Sequence, residues 1–219
     1  MSSPFTRNIE VMLYLSRHGK TRQNKLVEIS KQNGKVKYYD PEWERYPDLK
    51  DLIPEGEGMA EVLADYFMHF ILTPENIKKE DVRIITSGYR RSMDTGGINR
   101  ARIGLPLENV QSFDELNEQV PKEFNPKNTK SIMEIGDEAA ENLQRILSDY
   151  DGKVVLAPLH ESLNHCFLNS VGIWPQFMGN CSMLPLVYRN GMFTPTGPYI
   201  SNDDMRSRLE DNVSGKEVQ

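Results

Sequence analysis

Two imidazoles, a pair of adjacent guanidinium groups, a further arginine and a carboxylate sit where this 219-residue chain can do chemistry. Arg17-His18-Gly19 follows the apolar run at residues 11–16. Arg90-Arg91 follows a second such run at 82–86, and His160-Glu161 a third at 154–158. Glu115-Leu116-Asn117-Glu118 lies between the last two, just after an apolar stretch at 110–113. Ligands of open α/β sheets bind outside the carboxyl ends of the strands. If the three runs are neighbouring strands, His18, Arg91 and His160 reach one sheet edge together, with Glu118 on a loop beside them. Imidazoles and guanidinium groups converging there make a site for a phosphoryl dianion, because the planar guanidinium fork matches phosphate oxygens.

The elements that must position these groups are legible as hydrophobic pattern. Residues 11–16, 82–86, 154–158 and 183–188 are short, apolar and bounded by polar segments, which favours strand over helix. Between them, residues 58–72 place Met59, Val62, Leu63, Tyr66, Phe67 and Phe70 at helical spacing, and 137–150 do the same with Ala140, Leu143, Ile146 and Leu147. Residues 92–103 and 162–171 are weaker helical patterns. Strands alternating with helices imply right-handed crossovers. The expected fold is α/β, a three-layer sandwich with a mainly parallel central sheet flanked by helices, formed as one domain over residues 1–219. Two segments fit poorly. Residues 25–54 carry Tyr38, Tyr39, Trp43 and Tyr46 amid charges, and residues 119–135 contain Pro121 and Pro126. Each is long for a connection and reads as an insert or lid. Residues 211–219 read as a frayed tail.

Composition narrows the function classes. There are 26 basic and 32 acidic residues for a net charge of −6, without a basic run that could follow a phosphate backbone, so no nucleic-acid partner is expected. No apolar stretch approaches the roughly 18 residues of a membrane span, and no membrane partner is expected. The first residues lack the apolar core of a signal peptide, and the 2 Cys are too few and too far apart for a metal motif or disulfide framework. A cytoplasmic protein with reduced core thiols is the expectation. Nothing in the composition sets an oligomeric state.

The motifs resemble those of the histidine phosphatase superfamily, the phosphoglycerate-mutase-like proteins. Arg17-His18-Gly19-Lys20-Thr21-Arg22-Gln23-Asn24 is similar to its Arg-His-Gly-x-Thr-x-x-Asn signature. Ser87 through Thr95 resembles Ser-Pro-x-x-Arg-Ala-x-x-Thr and aligns Arg91, not Arg90, with the phosphate-binding arginine. Leu116-Asn117-Glu118 resembles the Leu-x-Glu that carries the proton donor, His160 falls at the second histidine, and Asn180-Cys181-Ser182 is similar to the Asn-x-Ser before the last strand. The resemblance covers residues 11–195. It implies that neutral His18 attacks phosphorus, that Arg17, Arg91 and a protonated His160 stabilise the transferred group, and that Thr21 and Asn24 help to bind it. Glu118, its pKa raised by burial or by phosphate charge, would protonate the leaving alkoxide. No metal and no cofactor is required. The chain departs from the family at Lys20 (commonly Glu), Gly88 (Pro) and Glu161 (Gly); Lys20 adds positive charge at the mouth, and Glu161 either repels a dianion or points away.

The expected activity is a cofactor-independent phosphomonoesterase acting on a small phosphorylated metabolite through a phosphohistidine. Two other readings stay open: a phosphoglycerate-type mutase, and a phospho-ligand-binding regulator that keeps the fold without turnover. The short segment between Glu118 and the helical pattern at 137 favours hydrolysis over the mutase. Retention of both His and the Glu favours an enzyme over the regulator. A zinc site at His160 and His165 is disfavoured, since a spacing of five separates two helical residues by about 140° where the zinc motif uses four.

Overall fold

Six strands and six helices make up the computed structural model, which describes residues 9–33, 47–173 and 177–214. The strands are β1 (Glu10–Arg17), β2 (Val82–Ser87), β3 (Val110–Phe113), β4 (Val154–Leu159), β5 (Met183–Arg189) and β6 (Met192–Pro195). The helices are α1 (Arg22–Gln32), α2 (Pro54–Phe67), α3 (Arg90–Ile103), α4 (Ile132–Leu147), α5 (Glu161–Ser170) and α6 (Asn202–Val213). The strands form one sheet in the order β3-β2-β4-β1-β5-β6. β3, β2, β4 and β1 pair in parallel, while β5 and β6 run antiparallel at one edge. The expected mainly parallel α/β sandwich is what forms.

Burial on both faces explains why the central strands read as unbroken apolar runs. β4 is buried at every position. Successive β1 side chains alternate between two cores, Leu13 and Leu15 facing one, Met12 and Tyr14 the other. The first core is closed by α4 and α5, the second by α2, α3 and α6. α4 begins with a capping box, Ser131 and Glu134 each bonding the other's backbone amide, and buries Ile135, Leu143 and Leu147 along one stripe. Truncating Leu143 to Ala would cost about 2–5 kcal/mol. α5 crosses α4 with backbone in contact: a Cβ at Gly136 would lie 2.2 Å from the Cys166 carbonyl oxygen.

Several expectations need correction. The helix placed at 137–150 starts five residues earlier, inside the segment read as an insert, and the one placed at 58–72 is α2 followed by a π-helical turn, Met68–Leu72. Within 25–54, residues up to Gln32 belong to α1, which buries no side chain and so shows no apolar stripe. Tyr38, Tyr39, Trp43 and Tyr46 lie outside the described residues. α6 continues to Val213, so the first three residues of the expected tail are helical. Cys166 and Cys181 are free and buried. No helix among the described residues is long and apolar enough to cross a membrane.

Candidate active site

The β1–β4 pairing places the two histidines. Arg17 lies opposite Leu159 in the register, and the His18 amide donates to the Leu159 carbonyl at 2.9 Å, one residue past the end of the ladder. His18 and His160 are therefore the first residues beyond two adjacent parallel strands, with ring centroids 5.3 Å apart. His18 is 3% exposed. Its Nδ1 lies 2.7 Å from the Gly19 carbonyl, which can only accept, so Nδ1 carries the proton. Nε2 keeps its lone pair and accepts from Arg91 Nε at 3.1 Å. Burial, then the nearby His160, Arg17 and Arg91, hold the His18 pKa well below its ordinary value. The ring is neutral at pH 7 with an unprotonated Nε2, the form a nucleophile needs.

Backbone fit keeps that ring in place. Gly19 donates to Thr95 Oγ1 at 2.9 Å, and Thr95 in turn donates to the Arg91 carbonyl at 2.7 Å. A Cβ at Gly19 would sit 2.5 Å from the Gly56 carbonyl oxygen, so only glycine lets the first turn of α2 pack here. Ser92 Oγ accepts from the Ser87 amide at 3.0 Å and donates to the Pro158 carbonyl at 2.6 Å, joining the start of α3 to the ends of β2 and β4. Arg91 is aimed by this junction. Besides His18, it donates from Nη2 to Glu118 Oε2 at 2.5 Å, and its guanidinium lies 4.9 Å from the centroid of the Tyr89 ring.

His160 is fully buried. Its Nε2 lies 2.6 Å from Ser87 Oγ, while its Nδ1 has no partner among the described residues. Burial above all holds its pKa down to about 3; Arg91 and Arg17 act in the same direction and Glu118 against it. The expectation of a protonated His160 is corrected: the protein's own groups keep it neutral, a hydrogen-bond donor and not a cation. The expectation for Glu118 also reverses. Burial pushes this carboxyl up, but the Arg91 guanidinium at 2.5 Å and a 2.6 Å bond from Ser162 Oγ hold it below the usual carboxylate range. The groups around it are electropositive, and Coulomb attraction outweighs desolvation.

The remaining predicted residues take more than one role. Arg17 Nη1 donates to the Met178 carbonyl at 3.0 Å and pairs with Glu161 Oε2 at 2.8 Å, while its buried Nε has no partner among the described residues. Glu161 thus turns toward the site. Lys20, expected to add positive charge, is matched by Glu28 at 2.6 Å and Glu55 at 2.8 Å. Thr21 caps α1, its hydroxyl accepting from the Asn24 amide and donating to Asn24 Oδ1, so it is spent on the helix start and not free for phosphate. Asn24 Oδ1 also accepts from the Thr21 amide and from Asn180 Nδ2, which leaves its own NH2 as the group able to donate elsewhere. Arg90, 71% exposed, pairs with Asp51 and Asp94.

Four contributors escaped the sequence reading as site residues: Ser87, Tyr89, Ser162 and Asn180. Ser87 and Asn180 stand inside the motifs quoted above. Asn180 Nδ2 bonds the His18 carbonyl at 3.0 Å as well as Asn24. Tyr89 lies inside the Ser87–Thr95 motif only at an unspecified position, and Ser162 carries no signal beyond proximity to His160. Among the described residues, no group of three or more His, Cys, Asp or Glu is placed to hold a metal ion. His165 instead stacks on Phe177, centroids 4.9 Å apart and planes within 8°.

No protein-family model and no curated protein matches the chain. Solved structures do. The chain is similar to a phosphoglycerate mutase from Bacillus anthracis str. Sterne, with a TM-score of 0.65 and 14% identity over 93% of this chain and 98% of that one. It is also similar to a phosphoserine phosphatase from Entamoeba histolytica, solved with 3-phosphoglyceric acid, at TM-score 0.61 and 15% identity over 89% and 99%. YhfR of Bacillus stearothermophilus superposes at TM-score 0.59 with 17% identity, over 85% and 95%. At such identities the likeness is one of fold.

Proposed function

We propose that this chain, which has the fold of the histidine phosphatase superfamily, is a phosphomonoesterase that hydrolyses a small phosphorylated metabolite through a phosphohistidine on His18. The observation that carries the reading is the fixed tautomer of His18: Nδ1–H held on the Gly19 carbonyl, Nε2 unprotonated and lying against Arg91. Fold neighbours solved with 3-phosphoglyceric acid and with phosphoserine support the substrate class.

His18 Nε2 attacks phosphorus and the ester P–O bond breaks. Arg17 and Arg91, with a donor from His160 and the side-chain NH2 of Asn24, balance the charge on the transferred group's equatorial oxygens. The departing alkoxide takes a proton from Glu118. Because the protein holds Glu118 ionised, that proton arrives with the substrate. A phosphomonoester titrates near pH 6, and its monoanion can pass a proton to Glu118 as the arginines draw off the phosphate charge. Water then attacks the phosphohistidine, Glu118 takes the water's proton, and His18 leaves as neutral imidazole. The test is release of inorganic phosphate from a panel of sugar phosphates, phosphoglycerates and amino-alcohol phosphates by the full chain and by His18→Ala. Release by the wild type alone is expected, and no release from any member would overturn the reading.

A further inference from the structure

Resting on that reading, we propose that the site selects phosphomonoesters whose second half is neutral or cationic, with Glu161 as a specificity-determining residue. Charges at the pocket are already matched. Each of the three cations at the pocket already has a carboxylate partner: Arg17 with Glu161, Arg91 with Glu118, and Lys20 with both Glu28 and Glu55. Three cations meet four carboxylates, so the cluster is net negative before a phosphoryl group enters. A dianion settling on Arg17 and Arg91 consumes the two guanidinium groups that reach His18's surroundings, and among the described residues no unmatched cation at the pocket is left for a second anionic group.

The space beside Arg17 has the same character. A cleft of about 270 Å³ opens there between α1 and the start of α6. Apart from Arg17 and Lys20, its charged lining is Glu28 and Asp203, and its other polar side chains are Asn180, Tyr199, Ser201 and Asn202. Outside that lining, the Glu161 carboxylate is 36% exposed and bonded to Arg17 at 2.8 Å. A substrate carboxylate next to the phosphate would meet like charge from Glu161 or from the cleft's Glu28 and Asp203, while an ammonium or hydroxyl group would meet acceptors. Like-charge juxtaposition in a partly desolvated site is a strong discriminator between ligands of equal shape.

The experiment measures inhibition constants of phosphoethanolamine and 3-phosphoglycerate as competitors of p-nitrophenyl phosphate hydrolysis at pH 7, on the wild-type chain and on Glu161→Gln. Wild type should bind phosphoethanolamine about tenfold or more tightly relative to 3-phosphoglycerate, the scale of one charge–charge interaction at a partly screened site. Glu161→Gln should compress that ratio about tenfold, since it keeps the shape and removes the charge. Preference for 3-phosphoglycerate in the wild type, or a ratio that the substitution leaves unmoved, would overturn the proposal while leaving the phosphatase reading intact. A wild-type chain that does not hydrolyse p-nitrophenyl phosphate at all would overturn both.

Discussion

Arg91 is the residue on which the electrostatics of the site turn, and Arg91→Ala should show it in stability before it shows in rate. Glu118, 23% exposed beside Arg91, keeps its bond from Ser162 in the variant but loses the 2.5 Å partner that holds it ionised. Stranding one member of a buried ion pair costs about 3–5 kcal/mol, and partial exposure puts this case near 3. Loss of the guanidinium over Tyr89 adds roughly 0.5–1 kcal/mol. The sum, about 3–4 kcal/mol at pH 7, should lower the melting temperature by roughly 6–16 °C for a domain of this size. The pH dependence has a definite sign. A carboxyl depressed in the folded state contributes stability that is fully present above its unfolded pKa near 4.3 and lost as pH falls through the folded value. Wild type has that contribution to lose and the variant has not, so the gap between them should narrow as pH drops from 7 to 4. Arg91→Lys keeps a charge near Glu118 and should cost under about 1.5 kcal/mol, yet one ammonium cannot serve His18 and Glu118 together, and turnover should fall about 10²–10³-fold. Urea unfolding of the three proteins at pH 7 and pH 4 decides it. Superimposed wild-type and Arg91→Ala curves at pH 7, or a gap that does not change with pH, would refute the coupling.

Three further outcomes follow from the same geometry. Since His18 is held well below its ordinary pKa and His160 at about 3, kcat/KM for an alkyl phosphate should show no acid limb near pH 6.5 and should decline above about pH 6 as the substrate monoanion disappears; a bell with an acid limb at 6–7 would contradict the neutral imidazoles. Glu118→Gln should slow alkyl phosphates far more than p-nitrophenyl phosphate, whose leaving group needs little protonation, and equal losses would remove Glu118 from the role of proton donor. Activity should survive exhaustive EDTA treatment if Arg17 and Arg91 carry the charge stabilisation, whereas loss restored by Zn²⁺ or Mg²⁺ would require a different account.

The parts of the fold legible in the sequence are those buried on both faces or along a full stripe. β1, β2, β4 and β5 appear as apolar runs within a residue or two of their ends, and α4 appears from its periodicity, though its capping box at Ser131 and Glu134 marks the true start. β3 shows only as the short stretch at 110–113 and β6 not at all, because both are four-residue edge strands with mostly unburied side chains, and α1 buries none and shows no stripe. α6 is signalled only by the Ser201–Asp204 capping box and buries just Asn202 and Met205. At the site, residue types and order were enough to bring His18, Arg17, Arg91, Glu118 and His160 together. Their protonation was not legible, because it depends on the distance from Arg91 to Glu118 and on the burial of His160, which only the folded chain sets. Nor was the partnering of Lys20 with Glu28 and Glu55, since Glu55 arrives from α2, 35 residues along the chain.

The central claim is that His18 Nε2 carries the phosphoryl group. Rapid quenching of the wild-type chain with a phosphomonoester labelled in the phosphate should trap a protein-bound label that is acid-labile and base-stable, as expected of phosphohistidine. Peptide mapping should place the label on His18, and His18→Ala should trap none while keeping its fold. A base-labile label, a label on another residue, or turnover near the wild-type rate in His18→Ala would contradict the account.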